Sequence, residues 1–155
     1  MAKSPEVLVI VGSKSDEETM AGCLSLLEKF GIGFSYEISS AHRNPEKTRI
    51  LAETAREKGY KVIIAAAGMA AALPGVIASH TTLPVIGVPM SGSALNGVDA
   101  LYSIVQMPAG VPVASMAIGD HGAKNAALMA ARIISIYDES LAKKLINYQE
   151  DLTKG

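Results

Sequence analysis

Short runs of apolar, largely β-branched residues alternate along the chain with longer segments whose apolar positions recur every three or four residues. The runs are typical of buried parallel strands, and the longer segments of amphipathic helices. The pattern predicts strands at positions 7–11, 34–38, 62–66, 85–88 and 113–118. It predicts helices at positions 16–30, 45–58, 70–79, 97–105, 123–137 and 139–151. Strands that alternate with helices favour parallel βαβ units, and therefore an α/β fold.

Composition narrows the class of protein. A chain of 155 residues predicts a single domain over 1–155, with a C-terminal helix at about 139–151. The composition is 49% hydrophobic, yet no apolar run reaches the roughly 18 residues of a membrane span, so we expect no membrane partner. With 14 basic and 15 acidic residues and no basic block, the chain lacks the charge that nonspecific nucleic-acid binding requires.

Cysteine usage and the N-terminal segment bear on localisation. Cys23 has no second cysteine to pair with, which excludes an internal disulfide and a cysteine-based zinc site. It falls on the apolar stripe of the first helix, so we expect it in the core. Acidic residues directly follow the first apolar stretch, unlike in a secretory signal. The expected localisation is the cytoplasm.

Ligands of open parallel sheets bind beyond the carboxyl ends of the strands. The first such segment, 12–16, reads Gly-Ser-Lys-Ser-Asp and enters a helix. Its hydroxyls and free backbone N–H groups suit a phosphate, although Ser15 or Asp16 could instead cap the helix, or do both. The segment is neither a Walker loop nor a GxGxxG motif. The other segments to inspect are 39–43, 67–71, 89–96 and 119–124.

The segment after the second strand, SSAHRNP at 39–45, places a hydroxyl, an imidazole and a guanidinium close together. Arg43 offers a bidentate fork for phosphate, and His42 supplies an imidazole, the side-chain type best suited to exchanging a proton near neutral pH. Together they predict a binding and proton-transfer pair. The alternative is a solvated loop with an incidental histidine.

Small residues dominate GMAAALPG at 68–75, so a ligand could approach the backbone there, and helix-on-sheet packing explains them equally well. The polar segment 91–97 is either a lid or a plain connection. We expect structural or solvated roles for His80 and His121. Because the histidines show no metal-ligand spacing, no metal is predicted.

These segments make the chain recognisable, because it resembles the PurE family of purine biosynthesis over nearly its whole length. The matching blocks are GSKSD at 12–16, SSAHRNP at 39–45, AAAGMAAALPG at 65–75, LPVIGVP at 83–89, SIVQMPAGVPVA at 103–114 and GAKNAALMAARI at 122–133. The resemblance implies a three-layer α/β/α sandwich with a parallel, flavodoxin-like central sheet. It also implies a homo-octamer and a small-molecule ribonucleotide substrate.

The blocks match the bacterial mutase branch, whose members convert N5-carboxyaminoimidazole ribonucleotide (N5-CAIR) to 4-carboxy-5-aminoimidazole ribonucleotide (CAIR) in IMP biosynthesis. Arg43 after the histidine, the VIGVP strand and the SIVQMPAGVPVA block are its marks in this sequence. The resemblance assigns phosphate and ribose binding to one set of residues. These are Ser13, Ser15, Asp16, Ser40 and Arg43.

The same resemblance makes His42 the general acid and base. His42 protonates N5 as CO2 leaves, C4 attacks the trapped CO2, and His42 removes the C4 proton, so neither a cofactor nor a metal is implied. Further substrate contacts are expected in the small-residue segment that follows the third strand. They are Gly68, Ala71, Ala72 and Leu73.

Ala72 departs from the mutase pattern, which usually carries histidine there in a run like GGAAHLPG. A small residue is usual in the AIR carboxylase branch, which uses free CO2, but that branch has lysine where this chain has Arg43. The interpretation is therefore a mutase. The alternatives are an AIR carboxylase or a catalytically impaired ribonucleotide-binding variant.

The nonenzyme alternative is a nucleotide-sensing or receiver-like module. A receiver requires a phosphoacceptor aspartate at the end of a central strand, whereas the third strand here runs into Ala-Ala-Ala-Gly at 65–68. A silent ribonucleotide-binding protein would be distinguished by a turnover assay. The high apolar fraction and the resemblance together predict an oligomer. The resemblance also implies that active sites borrow Gln106, Met107 or Pro108 from a neighbour.

Overall fold

The computed structural model describes residues 4–155. Residues 1–3 of the predicted domain and of the N-terminal segment lie outside the described residues. The strands are β1 (Val7–Val11), β2 (Phe34–Ile38), β3 (Val62–Ala67), β4 (Val85–Pro89) and β5 (Ala114–Ser115). The helices are α1 (Glu17–Phe30), α2 (Pro45–Thr54), α3 (Leu73–Ser79), α4 (Val98–Val105), α5 (Asp120–Ser135) and α6 (Glu139–Thr153).

The strands form one parallel sheet in the order β2-β1-β3-β4-β5. This is the flavodoxin-like order, in which the chain reverses direction across the sheet between β1 and β3. In β1, Val9 pairs with Tyr36 on one side and Ile64 on the other. The predicted α/β fold with a parallel, flavodoxin-like sheet is confirmed.

Each face of the sheet has its own apolar core, which gives the three layers. Alternate residues of β1 divide between the faces: Val7 and Val9 pack with α1 and α5, whereas Leu8 and Ile10 pack with α2, α3 and α4. Because both faces are covered, β1, β3 and β4 are buried along their whole length. Cys23 lies in the first core as expected, and burial raises the pKa of its thiol to about 12.

Two predicted elements differ in length because of proline. The predicted helix at 70–79 begins at Leu73, since a helix from residue 70 would set the ring of Pro74 against the carbonyl of residue 70. The predicted strand at 113–118 is reduced to Ala114–Ser115. Pro112 lies just before β5, and Pro89 is the last residue of β4, with which β5 pairs. Because proline has no N–H group, hydrogen-bond donors are missing near both ends of this strand pair.

The remaining helix boundaries shift by a few residues. Helix α2 ends at Thr54, and turns continue to Gly59, which has φ +89°. Helix α5 covers Asp120–Ser135 in place of 123–137, and α6 continues to Thr153. Helix α1 ends as predicted at Gly31, whose left-handed backbone (φ +70°) suits glycine. No helix within residues 4–155 is long and apolar enough to cross a bilayer.

Candidate active site

A cleft of about 550 Å³ opens at the carboxyl edge of the sheet. The segments that follow β1, β2, β3 and β4 line it, so it spans the point where the strand order reverses. Backbone bonds continue the ladder beyond the strands, from Gly12 N to Ala66 O (3.0 Å) and from Met90 N to Ala67 O (2.9 Å). The walls of the cleft are therefore held by the sheet itself.

The segment after β1 forms one turn of 3-10 helix at Lys14–Asp16 before α1 begins. Ser13 caps this turn: its Oγ accepts from the Ser15 N–H at 3.4 Å and from the Ser15 hydroxyl at 3.0 Å. Asp16 precedes α1 without a side-chain capping bond. The capping role expected for Ser15 or Asp16 thus falls to Ser13, and the Asp16 carboxylate lies at the cleft.

The segment after β2 is tied down at both ends. Ser39 N–H donates to Val11 O at 2.9 Å, and the buried Ser39 hydroxyl bonds the Thr48 hydroxyl of α2 at 2.8 Å. Ser40 Oγ accepts from the Arg43 N–H at 3.2 Å. His42 and Arg43 therefore extend from an anchored segment, and both side chains are exposed at the cleft.

The segment after β3 forms the apolar part of the cleft. Ala71 N–H bonds Met69 O at 2.9 Å and Ala72 N–H bonds Ala70 O at 2.6 Å, which folds the chain into tight turns before α3. Ala72 precedes α3 and offers no side-chain cap. Gly68 has no side chain to separate the backbone from a ligand, as the sequence suggested.

Asp16, at the cleft, and Tyr36, on β2, both have raised pKa values. Burial raises the pKa of the Asp16 carboxyl above its ordinary value, and a backbone hydrogen bond from Ser13 partly opposes this. Burial also raises the pKa of Tyr36 to about 12, with added repulsion from the carboxylates of Glu17 and Asp16. A cationic or hydrogen-bond-donating ligand group beside Asp16 would stabilise the ionised carboxylate and so oppose the effect of burial.

Every residue predicted for the site lines this single cleft. They are Ser13, Ser15, Asp16, Ser40, His42, Arg43, Gly68, Ala71, Ala72 and Leu73. The predicted segment 119–124 lies elsewhere, where Asp120 and Lys124 border a separate hollow beside α1. The remaining lining residues lie in the segments that the sequence singled out, but they are small or apolar and were not predicted individually. They are Gly12, Ala41, Ala67, Met69, Ala70, Met90 and Gly92.

Comparison with known proteins identifies the family. The family model described as AIR carboxylase matches residues 6–155. This chain belongs to that family, PurE. A relative from Bacillus subtilis is 54% identical over 147 residues, covering 95% of this chain and 91% of the relative. One from Haemophilus influenzae is 49% identical over 153 residues, covering 99% and 93%. Both are named N5-carboxyaminoimidazole ribonucleotide mutase.

A solved PurE has the same fold. The crystal structure of Treponema denticola PurE superposes with a TM-score of 0.87 at 32% identity, covering 97% of this chain and 92% of that one. The predicted family and the predicted three-layer architecture are therefore confirmed.

Other sequence candidates of this PurE chain lie outside the cleft. His80 Nδ1 lies 3.4 Å from Glu53 Oε1 at the surface, and His121 is exposed in the first turn of α5. Ser93, in the segment after β4, donates to Asp99 Oδ1 at 2.7 Å and accepts the Gly97 N–H at 3.3 Å. The part of the chain from residue 4 onward contains no group of three or more His, Cys, Asp or Glu arranged to hold a metal.

Proposed function

We propose that this chain is an N5-carboxyaminoimidazole ribonucleotide mutase, an isomerase that converts N5-CAIR to CAIR in purine biosynthesis. One observation carries the proposal: a single cleft joins polar and cationic groups after β1 and β2 to an apolar compartment after β3 and β4. A ribonucleotide that exchanges CO2 requires both environments. The names of the PurE relatives support the same reaction.

The polar half of the cleft binds the ribose phosphate. Arg43 supplies a guanidinium that forms charge-assisted, bidentate bonds to phosphate oxygens. Ser13, Ser15 and Ser40 supply hydroxyls beside it. Asp16, whose carboxyl is half-buried, accepts hydrogen bonds from the ribose.

His42 moves the proton. As the bond from N5 to the carboxylate carbon breaks, its electron pair returns to N5, and the imidazolium of His42 protonates that nitrogen. CO2 is released beside C4, which attacks its carbon. The imidazole of His42 then takes the C4 proton and is restored for the next turnover. General acid–base catalysis of this kind contributes about 100-fold to 10,000-fold in rate.

The apolar half of the cleft retains CO2 between the two steps. Gly68, Ala71, Ala72 and Leu73 present little more than backbone, methyl groups and one buried isobutyl side chain there. CO2 held against C4 has a high effective concentration, so recombination outruns escape.

Ala72 supports a second candidate, an AIR carboxylase that takes CO2 from solution. Its methyl group lines the cleft and offers no hydrogen bond to a carboxylate or to CO2. A CO2 molecule that escapes from this compartment leaves aminoimidazole ribonucleotide (AIR) behind. A ribonucleotide-binding protein without turnover is the third candidate.

Carboxylate labelling separates these candidates. We expect N5-CAIR labelled with 13C in its carboxylate to yield labelled CAIR in the presence of excess unlabelled bicarbonate. Complete loss of label, together with carboxylation of AIR from CO2 at a comparable rate, would establish the carboxylase. If the protein binds AIR but forms no CAIR, either from N5-CAIR or from AIR and CO2, it is a silent binding protein.

Replacing the proposed acid and base tests the mechanism. His42→Asn should bind AIR with parental affinity and lower the rate of CAIR formation at least about 100-fold. His121→Asn is the matched control, because this histidine is exposed outside the cleft and should leave the rate unchanged. Near-parental activity of His42→Asn would refute the assignment.

The proposal extends to assembly and location. We propose a homo-octamer in the cytoplasm, in which Gln106, Met107 or Pro108 reaches a neighbouring active site. An exposed apolar face on α4, formed by Val98, Tyr102 and Val105, supports assembly. The single, buried Cys23 is consistent with a reducing compartment.

A further inference from the structure

Met69 combines two unfavourable features. Its backbone is left-handed, with φ 55°, and its side chain is 67% exposed. Among residues 4–155, Asn96 is the other non-glycine residue with positive φ, and asparagine tolerates that region far better than methionine does. An exposed thioether gains nothing from burial that would offset this strain.

The surrounding segment holds Met69 in place. Its carbonyl accepts the Ala71 N–H at 2.9 Å, and the Ala67 carbonyl just before it accepts the Met90 N–H at 2.9 Å. The left-handed conformation is therefore imposed by the connection from β3 to α3. Strain that is held in this way on the wall of a binding cleft indicates a functional requirement for the side chain.

The position of Met69 identifies what covers it. The other large apolar residues that line the same cleft, Leu73 and Met90, are 2% and 3% exposed and already packed in the cores. Met69 alone among the cleft residues in the described range presents a long apolar side chain to the open space. It follows β3, and β1 separates β3 from β2, the strand that leads to Arg43.

We propose that the thioether of Met69 packs against the aminoimidazole ring of the bound ribonucleotide and determines specificity for the base. This inference rests on the proposed function, because it needs a ligand with a charged end and a planar heterocyclic end. Methionine sulfur contacts aromatic rings favourably, and its flexible side chain adapts to the ring as it binds. Met69 acts in recognition and takes no part in proton transfer.

Two ligands and three variants test the inference by calorimetry. AIR carries the base, whereas ribose 5-phosphate has the sugar and phosphate alone. Met69→Ala keeps the strained backbone without the side chain, Met69→Gly removes both, and Met69→Leu keeps an apolar side chain. We expect the alanine and glycine variants to bind AIR about tenfold more weakly and the leucine variant to stay within about threefold of the parent. All three should bind ribose 5-phosphate as the parent does.

The outcomes are distinguishable. If the parent binds neither ligand, the proposed function fails and the inference fails with it. If the parent binds AIR and Met69→Ala binds it equally well, the inference alone is wrong. An equal loss of affinity for AIR and for ribose 5-phosphate would also refute the inference, because the substitution would then act on the whole cleft and not on recognition of the base. A lower solution mass of Met69→Ala with parental AIR affinity would show that a neighbouring subunit covers Met69 instead.

Discussion

At the scale of single residues, Asp16 illustrates a conflict between stability and binding. Burial raises the pKa of its carboxyl in the folded chain, so the folded state holds this proton more tightly than the unfolded state does. Stability therefore decreases as the pH rises from the unfolded pKa through the raised folded pKa. Above that raised pKa the ionised carboxylate destabilises the fold, yet it is retained at the cleft.

We expect Asp16→Asn to raise the free energy of unfolding at pH 7.5, since the amide carries no charge to desolvate. The gain should be smaller at pH 4, because the folded parent takes up the proton more readily than the unfolded chain as the pH falls. The variant should also bind AIR about tenfold more weakly, the effect of losing a hydrogen bond to a charged group. Urea unfolding at both pH values, with calorimetry of AIR binding, checks this. An unchanged or lower stability at pH 7.5 would contradict it.

The polar site residues were predictable because their chemistry shows in their side chains. Hydroxyl, imidazole and guanidinium groups directly after strand-like runs indicated Ser13, Ser40, His42 and Arg43 before any geometry was known. Met69 could not be found in that way. Its importance comes from a backbone conformation that the connection between β3 and α3 imposes, and no periodicity reports it.

At the scale of elements, two glycines inside helices differ in the space around them. Gly22 in α1 and Gly122 in α5 both lie inside helices, where alanine is ordinarily more stable. A Cβ on Gly22 would meet the flexible side chain of Lys124 at 3.0 Å. A Cβ on Gly122 would overlap the backbone carbonyl of Ala117, which cannot move aside.

We therefore expect opposite effects from the same substitution. Gly22→Ala should stabilise the fold by up to about 1 kcal/mol, the helix propensity difference. Gly122→Ala should destabilise it by about 3 kcal/mol or more, the upper range for overpacking. Urea unfolding of both variants measures the difference. An unchanged free energy of unfolding for Gly122→Ala would contradict the close contact between Gly122 and the Ala117 carbonyl.

Element types were predictable from periodicity, whereas element ends were set by contacts further along the chain. The first two strands are found at the predicted positions because both runs are short and bounded by turns. The sequence predicts the fifth helix from residue 123, but α5 begins at Asp120. Gly122 therefore lies inside the helix, where its close packing on the Ala117 backbone leaves no room for a side chain.

At the scale of the whole molecule, α4 turns an apolar face outward. Val98, Tyr102 and Val105 recur at spacings of four and three residues, so they share one side of the helix. They are 43%, 63% and 49% exposed, and Leu95, which precedes the helix, is 62% exposed. Meanwhile Ala100 and Ile104 bury the opposite side of α4 in the core. A short helix with apolar residues on both sides is typical of a subunit interface.

A charge on this face tests assembly. Tyr102→Lys would place an unpaired ammonium in the interface, at a cost of about 3 kcal/mol, which is about 100-fold in the association constant. Ser103→Lys is the matched control, because it adds the same charge one residue further on, at an exposed position turned away from the Tyr102 side. We expect light scattering to give a smaller mass for Tyr102→Lys alone, with both variants folded by circular dichroism.

Mutase activity should fall with the mass if Gln106, Met107 or Pro108 completes a neighbour's cleft. A monomeric parent at micromolar concentration, or an unchanged mass for Tyr102→Lys, would exclude this face as the interface.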